Sequence, residues 1–400
     1  MGVKSAKLRV LDSQTLSTRL LLSRRLSTPS IYPEFENLGK AYLFKNARSA
    51  LFHATKLINS KRIGKIILMP SYGCGSELEP VLKAGGKVRF YRVDRKMKVD
   101  MEDLKNNIDE NVAAIDVTHY NGFPQAMNEI RNLCIQNGLY LIEDCAHVLG
   151  SVYEDQFRIG SFGDLAIFSM RKTTPIPDGG ALIVNNSSFQ FDDTHLVSMD
   201  ILKTLRMTQY LLKRNWAVKN PLLYAGITKV TEWGRVILSK MGVVNSSSEN
   251  VEYKPLEVND TSVDSYGRFD QKISWMAKKL LRRINFAEVI KQRRENYKYL
   301  LEKLGDIAWM KPVFPEIPEG HCPLFFMCIV PDPVNVYHQL LTYGIESDPY
   351  WDFFHPAVPW EEFPDAVYLK THVLALPIHQ DIGEGEREYL VASVKQIKED

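Results

Sequence analysis

Three groups able to do chemistry fall close together near the middle of the chain. Asp144 stands in Asp144-Cys145-Ala146-His147, and Ser169 and Lys172 stand in Phe168-Ser169-Met170-Arg171-Lys172, ahead of Gly179-Gly180. A lysine amine held on a loop attacks a carbonyl carbon to form a Schiff base. A carboxylate set against a pyridine nitrogen keeps it protonated, so that the ring withdraws electrons from a carbanion. A hydroxyl beside them offers a donor to a phosphate. Pyridoxal 5'-phosphate requires this set, so Lys172 is the candidate Schiff-base lysine and general base, and Asp144 the candidate partner of the ring nitrogen. Each has a plainer alternative. Lys172 could be a solvated lysine beside Arg171, and Asp144 a helix N-cap, where Asp is favoured.

Such groups need a scaffold that brings them to one place. Residues 46–186 alternate helical and strand patterns in the manner of a parallel sheet with crossover helices. Helical spacing occupies 49–58, 77–83, 101–107 and 128–136, with stops at Gly85-Gly86 and Gly138. Apolar runs at 65–69, 87–93, 112–118, 139–143, 165–170 and 181–184 predict strands, and continuous runs are the mark of strands buried on both faces. Asp144 then lies directly after a strand, and Ser169 and Lys172 lie at or just past another, where ligands bind in sheets of this kind. Residues 201–212 and 228–241 read as amphipathic helices followed by a polar stretch at 245–250. Their apolar faces suit an oligomer contact or the core, with the core favoured. Residues 272–304 form one long helical pattern. A run at 322–330 and helices at 334–343 and 386–397 predict a smaller α+β unit. The expected organisation is an N-terminal extension (1–40), a large α/β cofactor-binding domain (41–186), a helical insertion or connector (187–263), and a long helix with a small C-terminal α+β domain (264–400).

The segment from Asp144 to Gly180 resembles the sugar aminotransferases of the DegT/StrS type, fold-type I pyridoxal-phosphate enzymes, and the resemblance runs from about Phe44 to Lys398. It implies an α/β fold with a mostly parallel central sheet and a smaller α+β C-terminal domain. His147 stands where the family has a Gln that contacts the cofactor ring. It would stack on or hydrogen-bond that ring, or else be a core histidine. Asn46-Ala47-Arg48-Ser49-Ala50-Leu51 resembles the family's phosphate cradle without its glycine, which implies that Ser49 and Ala50 hold the phosphate at a helix N-terminus. The family's ring-stacking aromatic falls at Cys74, so either Tyr72 takes over the stacking or something softer covers the ring. A nucleophilic Cys74 is a weaker reading. His119-Tyr120-Asn121-Gly122-Phe123-Pro124 matches a structural turn of the family. The spacing from Ser169 to Lys172 is two residues shorter than the family's, and no Asn or Arg stands cleanly where a partner subunit completes the site, although Arg268, Asp270 and Lys272 are nearby.

What the resemblance implies is transfer of an amino group from an amino-acid donor to a nucleotide-linked keto-sugar, in surface-polysaccharide or secondary-metabolite biosynthesis, by a cytoplasmic homodimer. Two alternatives keep the fold: another pyridoxal-phosphate reaction such as dehydration, which Lys172 disfavours, or a catalytically silent binding protein. A nucleotide-binding oxidoreductase is set aside, because no GxGxxG follows an early strand. The whole chain bounds these readings. A net charge of +2 over 400 residues makes no electrostatic case for nucleic acid as a partner. Five cysteines at 74, 134, 145, 322 and 328, with no CxxC pair, give neither a disulfide framework nor a structural zinc motif, and a metal site on Asp144, Cys145, His147 and His119 matches no standard spacing. No apolar stretch reaches the length of a membrane span. The first thirty residues carry six Lys or Arg against one acid, which reads as a basic extension, a short helix on a partner, or a transit segment.

Overall fold

The computed structural model describes residues 8–24, 32–152, 157–221, 224 and 268–397. Seven strands form the central sheet: β1 (Lys40–Phe44), β2 (Ile66–Pro70), β3 (Lys87–Tyr91), β4 (Val112–Thr118), β5 (Tyr140–Cys145), β6 (Leu165–Phe168) and β7 (Gly180–Val184). Their order is β1-β7-β6-β5-β4-β2-β3. The run from β3 to β6 is parallel, and β7 is antiparallel to both β6 and β1. The inner strands are apolar without alternation because helices cover both faces: β7 is buried throughout, and β4 at every residue but Thr118. The helix Ala47–Lys61, capped by the Asn46 side chain on the N–H of Ser49, packs over β7, β6 and β1. Gly180 makes this possible, since a Cβ there would lie 2.1 Å from the Asn46 carbonyl carbon and 2.3 Å from the Ala47 nitrogen.

A second sheet, β8 (Lys311–Pro312), β9 (Phe325–Ile329), β10 (Asp348–Pro349) and β11 (Val373–Pro377), is antiparallel in the order β10-β11-β9-β8. Helices Pro333–Thr342, Pro364–His372 and Glu384–Val394 accompany it. The long helical pattern resolves into two helices, Trp275–Leu281 and Phe286–Leu304, separated by a break at which Asn285 caps the second. The first helix of the connector is longer than its periodicity suggested, Ile201–Lys219, with Ile201, Leu202 and Leu205 exposed and Met207 buried. The expected helix at 228–241 lies outside the described residues.

The N-terminal extension is not frayed where it is described. Val10 bridges Ile345, Leu16 is fully buried, and the side chain of Thr15 bonds Asp381. This segment runs across the second sheet to the turn that carries Lys172.

Candidate active site

Lys172 sits on the single helical turn Met170–Thr173 that follows β6, with its N–H bonded to the Ser169 carbonyl. The turn is held from four sides. Gln14 donates to the carbonyls of Arg171 (2.9 Å) and Thr174 (3.1 Å), and Tyr32 bonds the Thr173 hydroxyl at 3.0 Å. Gln380 and the buried Arg293 reach the Thr173 carbonyl, and Arg293 also donates to Gln14 at 3.0 Å. The shortened spacing from Ser169 to Lys172 is therefore accommodated by a compact turn braced from distant parts of the chain.

Lys172 opens onto a cleft of about 910 Å³, part of it open to solvent. Thr118, Asp144 and Ile167 pair across β4, β5 and β6 and form its floor. Asp144 lies within β5 and not beyond it. Its Oδ1 accepts the N–H of Ala146 at 2.8 Å, and no described residue donates to its other oxygen. Burial raises this carboxyl above its ordinary range, and the nearby Lys172 pulls it back. Burial likewise lowers the Lys172 amine, against the opposing pull of Cys74 and Asp144.

His147 is the closest neighbour of the lysine, with Nε2 3.0 Å from Nζ and 3.2 Å from the Tyr350 hydroxyl. Its Nδ1 accepts the N–H of Asn121 at 3.1 Å. Burial, then Lys172, holds this imidazole well below its usual pKa, so it is neutral and its single proton is on Nε2. An Nε2–H can donate to Lys172 only if the amine is unprotonated. The loop carrying Asn121 is shaped by Gly122 (φ +85°), where a Cβ would stand 2.7 Å from the Cys322 carbonyl and 3.1 Å from that of His147.

The remaining wall differs from what the sequence suggested. The first turn of helix Ala47–Lys61 faces the cleft through Asn46, Ala47 and Arg48. Ser49 and Ala50 lie buried one layer behind, and the N–H and hydroxyl of Ser49 are both engaged by the Asn46 side chain. Tyr72 is 0% exposed and packs behind the wall against Tyr120 and Trp351. Cys74 does line the cleft, where its thiol donates to Glu77 at 2.7 Å, and burial together with that carboxylate pushes its pKa up to about 12. It is therefore held as the protonated thiol at neutral pH. Ser169, Arg171 and Lys172 complete this side, and Trp351 arrives from the C-terminal sheet.

Arg268 and Asp270 are elsewhere. They pair with each other and border a separate aromatic hollow with Phe52, His53 and Phe269, while Lys272 bridges β1. His119 and Glu143 lie buried beneath the sheet, joined at 3.0 Å, with Gly160 and Gly163 donating to the same carboxylate, so this group binds itself. Asn46 had a local signal, as an Asn ahead of an apolar helix. Gln14, Tyr350 and Trp351 had none, since only the tertiary fold brings them to Lys172.

A mostly parallel sheet with β7 reversed, a small C-terminal α+β unit, and a half-buried lysine and aspartate facing one cleft are the architecture of fold-type I pyridoxal-phosphate enzymes. Residues 34–202 match the DegT/DnrJ/EryC1/StrS aminotransferase family. It is 24% identical over 255 residues to the GDP-perosamine synthase of Vibrio cholerae, covering 63% of this chain and 68% of that one. It is 31% identical over 188 residues to a UDP-4-amino-4,6-dideoxy-N-acetyl-beta-L-altrosamine transaminase of Campylobacter jejuni, so it matches about half of that relative (47%) and 46% of itself. In fold it resembles Helicobacter pylori PseC, an aminotransferase of pseudoaminic acid biosynthesis, with a TM-score of 0.65 at 16% identity over 98% of this chain and 99% of the other. CalS13 of Micromonospora echinospora, a sugar aminotransferase, gives 0.62 at 17% identity over 96% and 99%.

Proposed function

We propose that this protein is a pyridoxal-phosphate aminotransferase that moves an amino group from an amino-acid donor to a nucleotide-linked keto-sugar, in surface-polysaccharide or secondary-metabolite biosynthesis. One observation carries the reading: a half-buried amine, a half-buried carboxylate with an oxygen free of described donors, and a helix N-terminus face the same cleft. The sugar substrate rests on the named relatives.

The residues fit the cofactor. When bound, it supplies an aldehyde carbon and an electron-withdrawing ring. Asp144 would hold the proton on the ring nitrogen. Asn46, Ala47, Arg48, Ser169 and Arg171 form a rim of N–H, hydroxyl and guanidinium donors for the phosphate, with the positive end of the helix beneath it. Lys172, whose amine pKa burial lowers, would attack the aldehyde carbon in its unprotonated form. Once released by the amino donor, its Nζ would serve as the base that takes a proton from the donor's α-carbon and as the acid that returns it. His147 Nε2–H orients the lone pair of that nitrogen. Cys74 and Glu77 close one wall without taking part in proton transfer.

The proposed assembly is a cytoplasmic homodimer, on the family resemblance. No helix among the described residues is long and apolar enough to cross a membrane.

The test is to load the purified protein with pyridoxal phosphate, remove the excess, and add glutamate. Stoichiometric 2-oxoglutarate is expected. Failure to retain the cofactor would refute the reading, and retention without 2-oxoglutarate would favour a silent binding protein.

A further inference from the structure

Position 74 leaves the cleft without an aromatic on the loop after β2, and Tyr72 does not replace it because it is sealed behind the wall. Among the described residues, the cleft is lined by two aromatic rings, the His147 imidazole, which is engaged with Lys172 and Asn121, and the larger indole of Trp351. That indole lies at 5.3 Å from the His147 ring, 4.7 Å from Tyr350 and 5.2 Å from Tyr72 (centroid distances), so it is the front member of a packed aromatic group.

Two further features show that Trp351 is held in place. Its backbone has φ +61°, a left-handed conformation that bulky side chains rarely adopt and that persists only where the surroundings impose it. Its carbonyl accepts a hydrogen bond from Lys370, which is 2% exposed and lies on helix Pro364–His372. The same ammonium donates to the carbonyls of Gly73 and Phe353, all three at 2.7 Å, and lies 5.0 Å above the Trp360 ring. Gly73 belongs to the loop that carries Cys74. One buried cation therefore ties the loop lacking its aromatic to the segment that presents one. The fit is close at Gly75 (φ +83°), where a Cβ would stand 3.0 Å from the Phe353 ring.

We propose that Trp351 packs against the ring of bound pyridoxal phosphate in place of the aromatic missing at Cys74, and that Lys370 is the residue that positions it. This rests on the aminotransferase reading given above. Asp144 on the floor and Lys172 at the side fix where the ring lies, and Cys74 and Trp351 form the adjoining wall.

The experiment measures pyridoxal phosphate affinity and the induced circular dichroism of the bound chromophore for wild type, W351F, W351L and K370Q, each with its thermal midpoint. Aromatic packing beyond simple burial predicts that W351L binds roughly two- to tenfold more weakly with altered dichroism, whereas W351F stays close to wild type. K370Q should shift both readouts in the direction of W351L and add nothing in the K370Q/W351L double variant, because residues acting through one another are not additive. The Trp351 comparison stands even if K370Q is too unstable to study. W351L binding as tightly as wild type would overturn the proposal, and so would a K370Q loss of equal size in both backgrounds. Wild-type protein that takes up no cofactor would instead sink the aminotransferase reading beneath it.

Discussion

Replacing His147 by alanine tests whether Lys172 rests as a free amine. The Asn121 N–H occupies Nδ1, so the ring proton is on Nε2, which faces Nζ at 3.0 Å and the Tyr350 hydroxyl at 3.2 Å; given to the nearer Nζ, it is accepted only by an unprotonated lysine. A protonated lysine would set N–H against N–H. A neutral hydrogen bond contributes a net of about 0.5–1.5 kcal/mol. Its loss should lower the free-amine fraction of Lys172 roughly two- to thirteenfold on the acid side of its titration, at about 1.4 kcal/mol per factor of ten. The assay is pulse acetylation of cofactor-free protein across a pH series, with the Lys172 peptide quantified by mass spectrometry against the exposed Lys311. His147→Ala should move Lys172 labelling to higher pH. His147→Gln, whose amide offers an acceptor to Asn121 and a donor to Nζ, should restore the wild-type profile. Coincident profiles for wild type and His147→Ala would refute the tautomer assignment and the neutral amine with it.

Other perturbations follow from the same geometry. Asp144→Asn removes the proposed charged partner of the ring nitrogen, worth about 1.5–3 kcal/mol for a hydrogen bond to a charged group, so cofactor affinity measured by dialysis should fall roughly ten- to a hundredfold. Gly180→Ala forces a Cβ into the Asn46–Ala47 backbone, and overpacking of this kind costs about 1–3 kcal/mol. Its thermal midpoint should fall, and the displaced helix N-terminus should weaken phosphate binding. Glu34 is 0% exposed, with one oxygen accepting the Gly150 N–H and the other without a partner among the described residues. Burial raises its carboxyl to about 7, above its ordinary 4.5. The unfolded chain therefore ionises first, and the group's contribution to stability declines between pH 4.5 and 7 and stays low above that. Denaturant titrations of Glu34→Gln should show a smaller loss of stability than wild type between pH 5 and pH 8.

Six strands of the large sheet were legible as apolar runs punctuated by Gly85-Gly86, Gly138 and Gly179-Gly180, and local patterns of that kind survive folding; the edge strand β1, exposed at Lys40 and Ala41, was not. That Lys172 and Asp144 face one cleft was legible for a related reason, since each sits near the end of such a run. Asp144 fell inside β5 and not after it because a strand end is set by its neighbours, here Thr118 and Ile167, which sequence alone does not display. The helix break before Phe286 was hidden within a pattern whose apolar spacing continues through Arg282–Asn285. The first turn of helix Ala47–Lys61 meets the cleft through Asn46 and Arg48 and not Ser49, because the capping Asn46 side chain takes the N–H and hydroxyl of Ser49 for itself. Least legible were Gln14, Arg293, Tyr350, Trp351 and Lys370. They reach the site from the N-terminal segment and the C-terminal sheet through contacts far apart in the chain, and each looks ordinary in its own neighbourhood.

Borohydride reduction of the cofactor-loaded protein, followed by peptide mass mapping, tests the assignment of Lys172 most directly. A single pyridoxyl adduct on the Lys172 peptide is the predicted result. An adduct on another lysine, or bound cofactor with no adduct on any lysine, would contradict it.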